Sequence, residues 1–580
     1  MNGRCKEHRA DDDAIKRLFF ATGSIAFLIL LHLQTPDLSW GESAILTLRS
    51  FSLGGAHPSG YPFMMMLMHP VRFLPIGDQI FRSNIFGILM NTLAIGGFAA
   101  LSHRLLRGAW IFSFLGAILL LISPAFLTAC QSIEVYSLNL LMIIGMLIIF
   151  SDTLEPRRLL LGALLAGLAS AHHLTIVFVL MPLFGGALMT RSVPTRIKLI
   201  SIGFLMFAMS TELFLILRDT AKPELTWGDP RSWTGLIDLV TASEESSGSL
   251  RAGLNSMDAM IPRAISSVHP TIQTIGYLGL FLAGIGYLTL WKSQRKLTVA
   301  MSISALLFIL GVSVYETRES TSFFLPVTTL VIIAMIAALS SIDRWCHGLM
   351  RGHPLIRGIL IIFLVSRIVV SARVSFADSI HEDRFPRIWI SQLLDCAPDG
   401  SIILTRRSDV FFIGSYLMQI EKRHDTSKVI IFQHLLSFRW YLEDLNRVGV
   451  ESLSGDAWNQ MPKDSREWNA AITELICRRS LRNRDVLVTD YDTINDVEMV
   501  RNQSVPIVPY NLFGLIPSSN SNRILLSLPE FDQRWTPGSR SNLGFQLDQA
   551  IQFNRHAGHM KQAERYREIS ERLWTARSGQ

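Results

Sequence analysis

Charge is scarce in this 580-residue sequence: Asp, Glu, Lys and Arg together make up 17% of it, against roughly 25% in an ordinary soluble domain. Apolar residues make up 49% and are strongly clustered, so for most of the chain a water-solvated globule is excluded and a membrane solvent is the simplest cause. Cysteine is sparse too. The five present form no Cys-x-x-Cys pair and no metal-ligand spacing, which excludes a zinc module and a thioredoxin-like function. Cys396 and Cys477 share the C-terminal third, where a disulfide in an oxidising compartment and two free thiols are both open readings. A basic stripe is missing as well. The formal net charge of +7 comes from Lys and Arg at the ends of apolar runs, which is the pattern of membrane topology and not of a nucleic-acid footprint. From Arg373 onward no apolar run is long enough to cross a bilayer, and no internal repeat is clear.

What is present is a series of apolar runs separated by short charged or Pro-containing joints. Crossing the hydrocarbon takes about 20 helical residues. Runs near 18–34, 82–101, 109–126, 135–151, 159–171, 174–190, 197–217, 271–291, 297–314, 322–340 and 356–372 give about eleven spans. The first follows Lys16 and Arg17, and Gln34, Thr35 and Pro36 after it offer no small-residue cleavage pattern, so it reads as a retained anchor. With a cytoplasmic N-terminus, the cytoplasmic joints carry Arg104 and Arg107, Arg157 and Arg158, Arg191, Arg196 and Lys198, Lys292, Arg295 and Lys296, then Arg344 and Arg351. The opposite short joints are nearly free of Lys and Arg, as the positive-inside tendency requires. An odd number of spans places the tail outside the cytoplasm with the loops 35–81, 127–134, 218–270 and 315–321. The short segments 159–171 and 174–190 meet at His172 and His173, a hairpin or broken helix whose tip reaches the outer surface.

The tail mixes β-rich runs (Ser401 to Thr405, Lys428 to Phe432, Asp485 to Thr489, Arg523 to Leu528) with helical patterns such as Asp409 to Lys422, and ends in a helical pattern over about Leu543 to Leu573 broken near Gly558. The expected architecture is a polytopic α-helical membrane protein with a C-terminal extracytoplasmic α/β domain. Its divisions are a cytoplasmic N-terminal tail over 1–17, a transmembrane domain over 18–372, the α/β domain over 373–540 and a helical hairpin over 541–580. Sidedness places the tail outside the cytoplasm, which in a bacterial inner membrane is the periplasm.

The first outer loop is the richest in chemistry. Ser39-Trp40-Gly41-Glu42 is followed by Ala56-His57-Pro58-Ser59-Gly60-Tyr61-Pro62, a carboxylate, an imidazole and a rigid turn beside the membrane surface, joined by a stretch from Ala44 to Phe51 with the character of an interfacial helix. Each notable residue has two readings. Glu42 is a base or an ordinary solvated carboxylate. His57 binds ligand or shapes the turn before Pro58, and Glu134 binds ligand or caps the helix that follows it. His172 and His173, adjacent on a helix, would diverge by about 100° and cannot chelate as a pair. Asp229, in Trp227-Gly228-Asp229-Pro230, fits a turn. Arg318, between Glu316 and Glu319, is a surface ion pair or a phosphate ligand. Met64-Met65-Met66 reads as soft packing.

These motifs resemble those of the protein O-mannosyltransferase type within the GT-C superfamily. Family members carry a first-loop Asp-x-Gly-Glu and then Ala-His-Pro-Pro-Gly-Tyr-Pro, matched here by Gly41-Glu42 and residues 56–62. Further matches are Glu134-Val135-Tyr136-Ser137-Leu138-Asn139, the Gly167 to Thr175 stretch with His172-His173, Trp227 to Pro230, and Phe323-Phe324-Leu325-Pro326 after Arg318. Ser39 stands where the family has its first acidic residue and Ser59 where it has the second proline, so a second first-loop carboxylate is implied only if Asp37 supplies it. The resemblance implies a GT-C-like fold over 18–372 and an inverting transfer of a hexose, mannose in particular, from a polyprenyl-phosphate sugar to a hydroxyl of a protein or glycolipid.

Because the lipid phosphate is a good leaving group, no general acid is needed, unlike ordinary glycoside hydrolysis. One carboxylate base and groups that hold the phosphate suffice. Glu42 is then the expected base, with His57, Tyr61, Glu134, Tyr136, His172, His173, Asp229 and Arg318 expected to bind substrate. No cofactor beyond the donor lipid and no metal site is expected; the partners are the bilayer, the donor and the acceptor, without nucleic acid. The competing class is a transporter, flippase or assembly component for envelope glycans, which would place polar groups along a midplane path.

Overall fold

A computed structural model of the chain describes residues 2–151, 155–190, 193–220, 227–243, 258, 260–314, 320–349, 354–377, 379–381, 383–451, 465–490, 508–510, 513–516, 537–556 and 559–575. It divides into two compact units, Met1–Gln34 with Leu53–His381, and Thr35–Ser52 with Glu382–Gln580. The first part of the first outer loop, Thr35–Ser52, therefore belongs to the same unit as the C-terminal tail, and the rest of it to the first unit.

The first unit is helical. It contains α1 (Asn2–Leu33) and, after α2 (Ser43–Ser52) of the other unit, α3 (Pro62–Met68), α4 (Gln79–Leu105), α5 (Trp110–Leu121), α6 (Pro124–Thr128), α7 (Val135–Phe150), α8 (Pro156–Ser170) and α9 (Leu174–Leu188). Then come α10 (Thr195–Thr220), α11 (Trp233–Thr241), α12 (Met260–Ser293), α13 (Arg295–Val314), α14 (Ser320–Phe323), α15 (Leu325–Leu349) and α16 (Pro354–Ala377). The expected apolar runs fall on helical segments, with 109–126 divided between α5 and α6 and 322–340 between α14 and α15. Those in α1, α4, α10, α12, α15 and α16 are long and apolar enough to cross a bilayer by length and composition. The chain is an integral, multi-pass membrane protein.

Starts and breaks have local causes. Asp78 caps α4 by accepting from Phe81 N (2.8 Å), and Pro156 at the head of α8 needs no donor there. Inside α12, Gly276 at φ +71° breaks the helix in a conformation that only glycine adopts readily. Arg367 on α16 then donates to Gln273 O (2.6 Å) and Thr274 O (3.1 Å), as a break at membrane depth requires. α15 forms the centre of the bundle, with 83% of its apolar window buried, whereas α16 has 11%. Leu355, Ile359 and Ile362 of α16 are exposed on its outer side, at no cost where lipid is the solvent.

Three of the basic joints meet at one end of this unit. Arg107, Lys292 and Arg344 line one cleft of about 500 Å³, and Arg344 donates to Leu106 O (2.8 Å) at the carbonyl end of α4, where a cation suits the helix dipole. α8 starts beside Arg157 and Arg158, and His172 and His173 follow its other end, so this cationic joint and the histidine pair flank the helix on opposite sides.

The second unit contains α2, α17 (Phe385–Cys396), β1 (Ile402–Thr405), α18 (Ser408–Tyr416), β2 (Val429–Phe432), α19 (Arg439–Arg447), α20 (Ser465–Ser480), β3 (Val486–Val488), β4 (Val508–Tyr510), β5 (Phe513–Ile516), α21 (Pro537–His556) and α22 (Met560–Thr575). The sheet order is β2-β1-β3-β5-β4, parallel through β2, β1 and β3 and antiparallel through β5 and β4. Ile403 sits opposite Ile430 and Leu487, and all of β1 is buried, the continuous apolar run typical of a strand covered on both faces. Cys396 and Cys477 are separate, buried thiols, and burial pushes Cys477 up to about 12. The expected strand over Arg523 to Leu528 and the break at Gly558 lie outside the described residues.

Candidate active site

In the first unit, His57 to Gly60 forms a tight turn closed by Gly60 N to His57 O (2.7 Å) and Ala56 N to Gly60 O (3.2 Å). Gly60 has φ +82°, and a Cβ there would lie 2.9 Å from Leu215 Cδ1, so the position needs glycine for both its backbone and its space. Gly60→Ala should lower stability by roughly 1–3 kcal/mol, read as a lower Tm in detergent; an unchanged Tm would show that the turn relaxes. The turn delivers Tyr61, itself at φ +48°, whose hydroxyl lies 3.0 Å from Pro58 O and 3.1 Å from His57 Nε2. With only one proton to give, Tyr61 donates to Pro58 when His57 Nε2 is the donor to Tyr61.

Around Tyr61 the structure assembles most of the residues singled out in the sequence. Its ring stacks on His173 (centroids 5.9 Å apart, planes 9°) and lies 6.1 Å from His172. His57 also meets Trp227 edge-on at 6.0 Å. His173 meets Tyr136 at 5.9 Å and Phe323 at 6.0 Å. Five of the nine expected site residues, His57, Tyr61, Tyr136, His172 and His173, thus share one cluster.

The two histidines lie in the turn between α8 and α9, not on a helix, and their rings are 6.2 Å apart. His173 caps α9: its Nδ1 accepts from Thr175 N (3.2 Å) and lies 2.7 Å from Thr175 Oγ1, which in turn receives Asn139 Nδ2 (3.3 Å). A nitrogen that accepts a backbone N–H holds a lone pair, so the neutral ring carries its proton on Nε2, and that N–H has no partner among the described residues. His172 is set the opposite way. Its Nε2 lies 3.0 Å from Val135 O and therefore carries the proton, which leaves a fully buried Nδ1 lone pair without a partner among the described residues. Burial pulls His172 down to about 4, and burial together with the neighbouring His172 and His57 pulls His173 to about 3. Both rings are neutral at pH 7, offering one acceptor and one donor, which suits a hydroxyl and not a phosphate.

The sign of the pH effect follows. Above about 6.5 neither state takes up protons on these rings; below it the unfolded chain binds protons that the folded one refuses, so stability falls as pH drops toward 4. The expected loss is on the order of 1 kcal/mol per pH unit for each ring. It is read as Tm against pH, and should shrink by about half in His172→Gln.

Glu134 stands at the N-cap of α7, but its carboxylate makes no cap hydrogen bond to that helix, against the capping reading. Asp229 is 44% exposed and pairs with Arg231 (2.7 Å), which also reaches Asp219 (3.0 Å); it belongs to a surface ion group. Arg318 lies outside the described residues. Met64 and Met65 are wholly buried, as soft packing requires.

The second unit holds Glu42. It is half-buried, and its carbonyl accepts Leu46 N (2.9 Å) to start α2. Asp37 does not offer a second free carboxylate. It accepts from Leu38 N (2.7 Å) and from Arg387 Nε (2.5 Å), while Arg387 Nη1 reaches both oxygens of Glu421 at 2.7 Å. Ser39 Oγ donates to Ser43 Oγ (3.0 Å). Trp40 lies under the Arg407 guanidinium (5.4 Å) and edge-on to Phe385 (6.0 Å), and α2 packs on α18. The first-loop helix is thus seated on the tail by an ion triad, a cation–π contact and apolar packing.

The sequence reading missed three residues. Arg49 is the only charged residue in α2 and is 3% exposed. Glu212, in the apolar run of α10, is 9% exposed, and neither of its carboxylate oxygens has a partner among the described residues. Arg387 is the hinge of the triad. The first two had a signal, a lone charge inside an apolar helix; Arg387 had none, because its partners are distant in sequence.

Residues 43–196 match the family described as the protein O-mannosyl-transferase TMEM260 N-terminal domain. The fold is similar to that of ArnT from Cupriavidus metallidurans: bound to undecaprenyl phosphate, it aligns with TM-score 0.50 at 12% identity over 87% of this chain and 98% of that one. In the apo state it aligns with TM-score 0.51 at 12% identity over 86% and 97%. The Archaeoglobus fulgidus oligosaccharyltransferase aligns with TM-score 0.46 at 11% identity over 82% of this chain and 68% of that one. A search of curated protein sequences finds no match to the chain.

Proposed function

We propose that this chain, whose residues 43–196 match the O-mannosyl-transferase N-terminal domain family and whose fold is similar to that of ArnT, is a membrane glycosyltransferase that moves a hexose, mannose by family, from a polyprenyl-phosphate carrier to a hydroxyl of a protein or glycolipid on the extracytoplasmic side, in bacteria the periplasmic face of the inner membrane. The observation that carries this reading is the aromatic–imidazole cluster. Tyr61, Tyr136 and Phe323 surround two neutral imidazoles, one presenting a lone pair and the other an N–H, and Trp227 extends the cluster through His57. Apolar rings with a few convergent, uncharged donors and acceptors suit a sugar. The carrier chemistry draws support from the undecaprenyl phosphate bound by ArnT.

In the proposed step Glu42 takes the proton of the acceptor hydroxyl. The acceptor oxygen attacks the anomeric carbon as the bond from that carbon to the phosphate oxygen breaks, and the polyprenyl phosphate leaves with the electron pair, inverting the centre. Purified protein given polyprenyl-phosphate hexoses and a hydroxyl acceptor should release polyprenyl phosphate and yield a glycosylated product by mass spectrometry. Absence of release with every hexosyl donor, together with movement of intact lipid-linked sugar across vesicles, would replace this reading with transport.

A further inference from the structure

We propose that Arg49 forms an anion subsite that receives the phosphate of the lipid-linked donor, an assignment that rests on the transferase reading above. Arg49 is 3% exposed within a helix whose residues from Ser43 to Phe51 are all buried. Its Nε has no hydrogen-bond partner, and its guanidinium has no carboxylate partner among the described residues. Two other arginines of its unit stand in contrast. Arg387 is matched by Asp37 and Glu421, and Arg407 by Asp409.

Burial pulls Arg49 down to about 10, which still leaves it charged at neutral pH. A buried charge without a counter-ion is strongly unfavourable, so a protein that keeps one gains if an anion arrives with the ligand. The planar guanidinium fork matches phosphate geometry.

The place along α2 suits the reaction as well. Glu42 immediately precedes α2, its carbonyl accepting Leu46 N, and Arg49 lies seven residues further on within the helix. An inverting displacement needs the leaving phosphate and the base on opposite sides of the anomeric carbon, so the two groups must be separated. The length of α2 between them provides that separation.

The test compares the full-length protein with Arg49→Met in detergent, using undecaprenyl phosphate, inorganic phosphate and phosphatidylglycerol micelles as probes. Wild type should gain Tm with undecaprenyl phosphate, and Arg49→Met should bind it at least tenfold more weakly. Without ligand, Arg49→Met should be as stable as wild type or more so, because it removes an uncompensated charge. A variant that is less stable without ligand, or fails to fold, would make Arg49 structural and overturn the proposal; so would undiminished binding. Equal Arg49-dependent protection by inorganic phosphate would support a site for the phosphate group without the lipid chain, whereas protection by phosphatidylglycerol alone would overturn the donor assignment. Transfer by Arg49→Met at the wild-type KM overturns the subsite and leaves the transferase reading intact. Arg49-dependent binding without transfer of any hexose does the reverse.

Discussion

Glu42→Gln is expected to lower kcat for polyprenyl phosphate release by about 10²–10⁴-fold, the range a general base contributes, with little change in KM for the donor. The amide keeps the shape of the side chain and removes only its capacity to take a proton. Folding should survive, because the amide is nearly isosteric and leaves in place the Glu42 carbonyl that accepts Leu46 N at the start of α2. No neighbour can substitute: Asp37, the nearest acidic residue in sequence, is engaged by Arg387 and by Leu38 N. Single-turnover release under saturating donor gives the measurement, and a rate within a factor of two of wild type would remove Glu42 from the mechanism. A fall in kcat/KM carried by KM alone would instead make Glu42 a binding residue.

Arg387→Met should cost about 3–5 kcal/mol of stability, the usual penalty for breaking a buried ion group by removing one partner. Arg387, Asp37 and Glu421 are 20%, 14% and 8% exposed, so solvent screens the two orphaned carboxylates poorly. Burial alone would depress Arg387, but its hydrogen bonds and charge contacts with Asp37 and Glu421 hold it above the ordinary arginine value. Arg387→Lys should fall between wild type and Met, since a point charge cannot bridge two carboxylates as a planar fork does. Differential scanning fluorimetry in detergent checks both. Wild-type stability in Arg387→Met would show that Trp40 and the α2–α18 packing hold the loop without the triad.

The membrane half was legible because each span announces itself locally. An apolar run of sufficient length has one stable solution in lipid, and the basic joints mark one end of the bundle, as Arg107, Lys292 and Arg344 do around their shared cleft. The histidine cluster was legible as a set of residues but not in its electrostatics. His172 and His173 were expected among the groups that hold the donor; their neutrality follows from burial and from Val135 O and Thr175 N, contacts that no spacing reveals. Asp37 was open as a second carboxylate because Arg387 is 350 residues away. Arg49 passed as part of an apolar helix, although a single charge among Ile45, Leu46, Leu48 and Phe51 was itself the clue. The order β2-β1-β3-β5-β4 needed coordinates, since strands of three or four residues leave pairing partners undetermined.

The seating of α2 on the tail changes what a shortened protein can report. Cutting the chain after Arg373 removes α18, Arg387, Glu421 and Arg407 together, so the segment bearing Glu42 and Arg49 loses its clamp while every membrane helix remains. Such a fragment would insert normally yet lack both the proton acceptor and the anion holder in working position. Inactivity in it would say nothing about where the acceptor binds, and supplying the tail as a separate polypeptide should restore turnover to the extent that it recaptures residues 35–52.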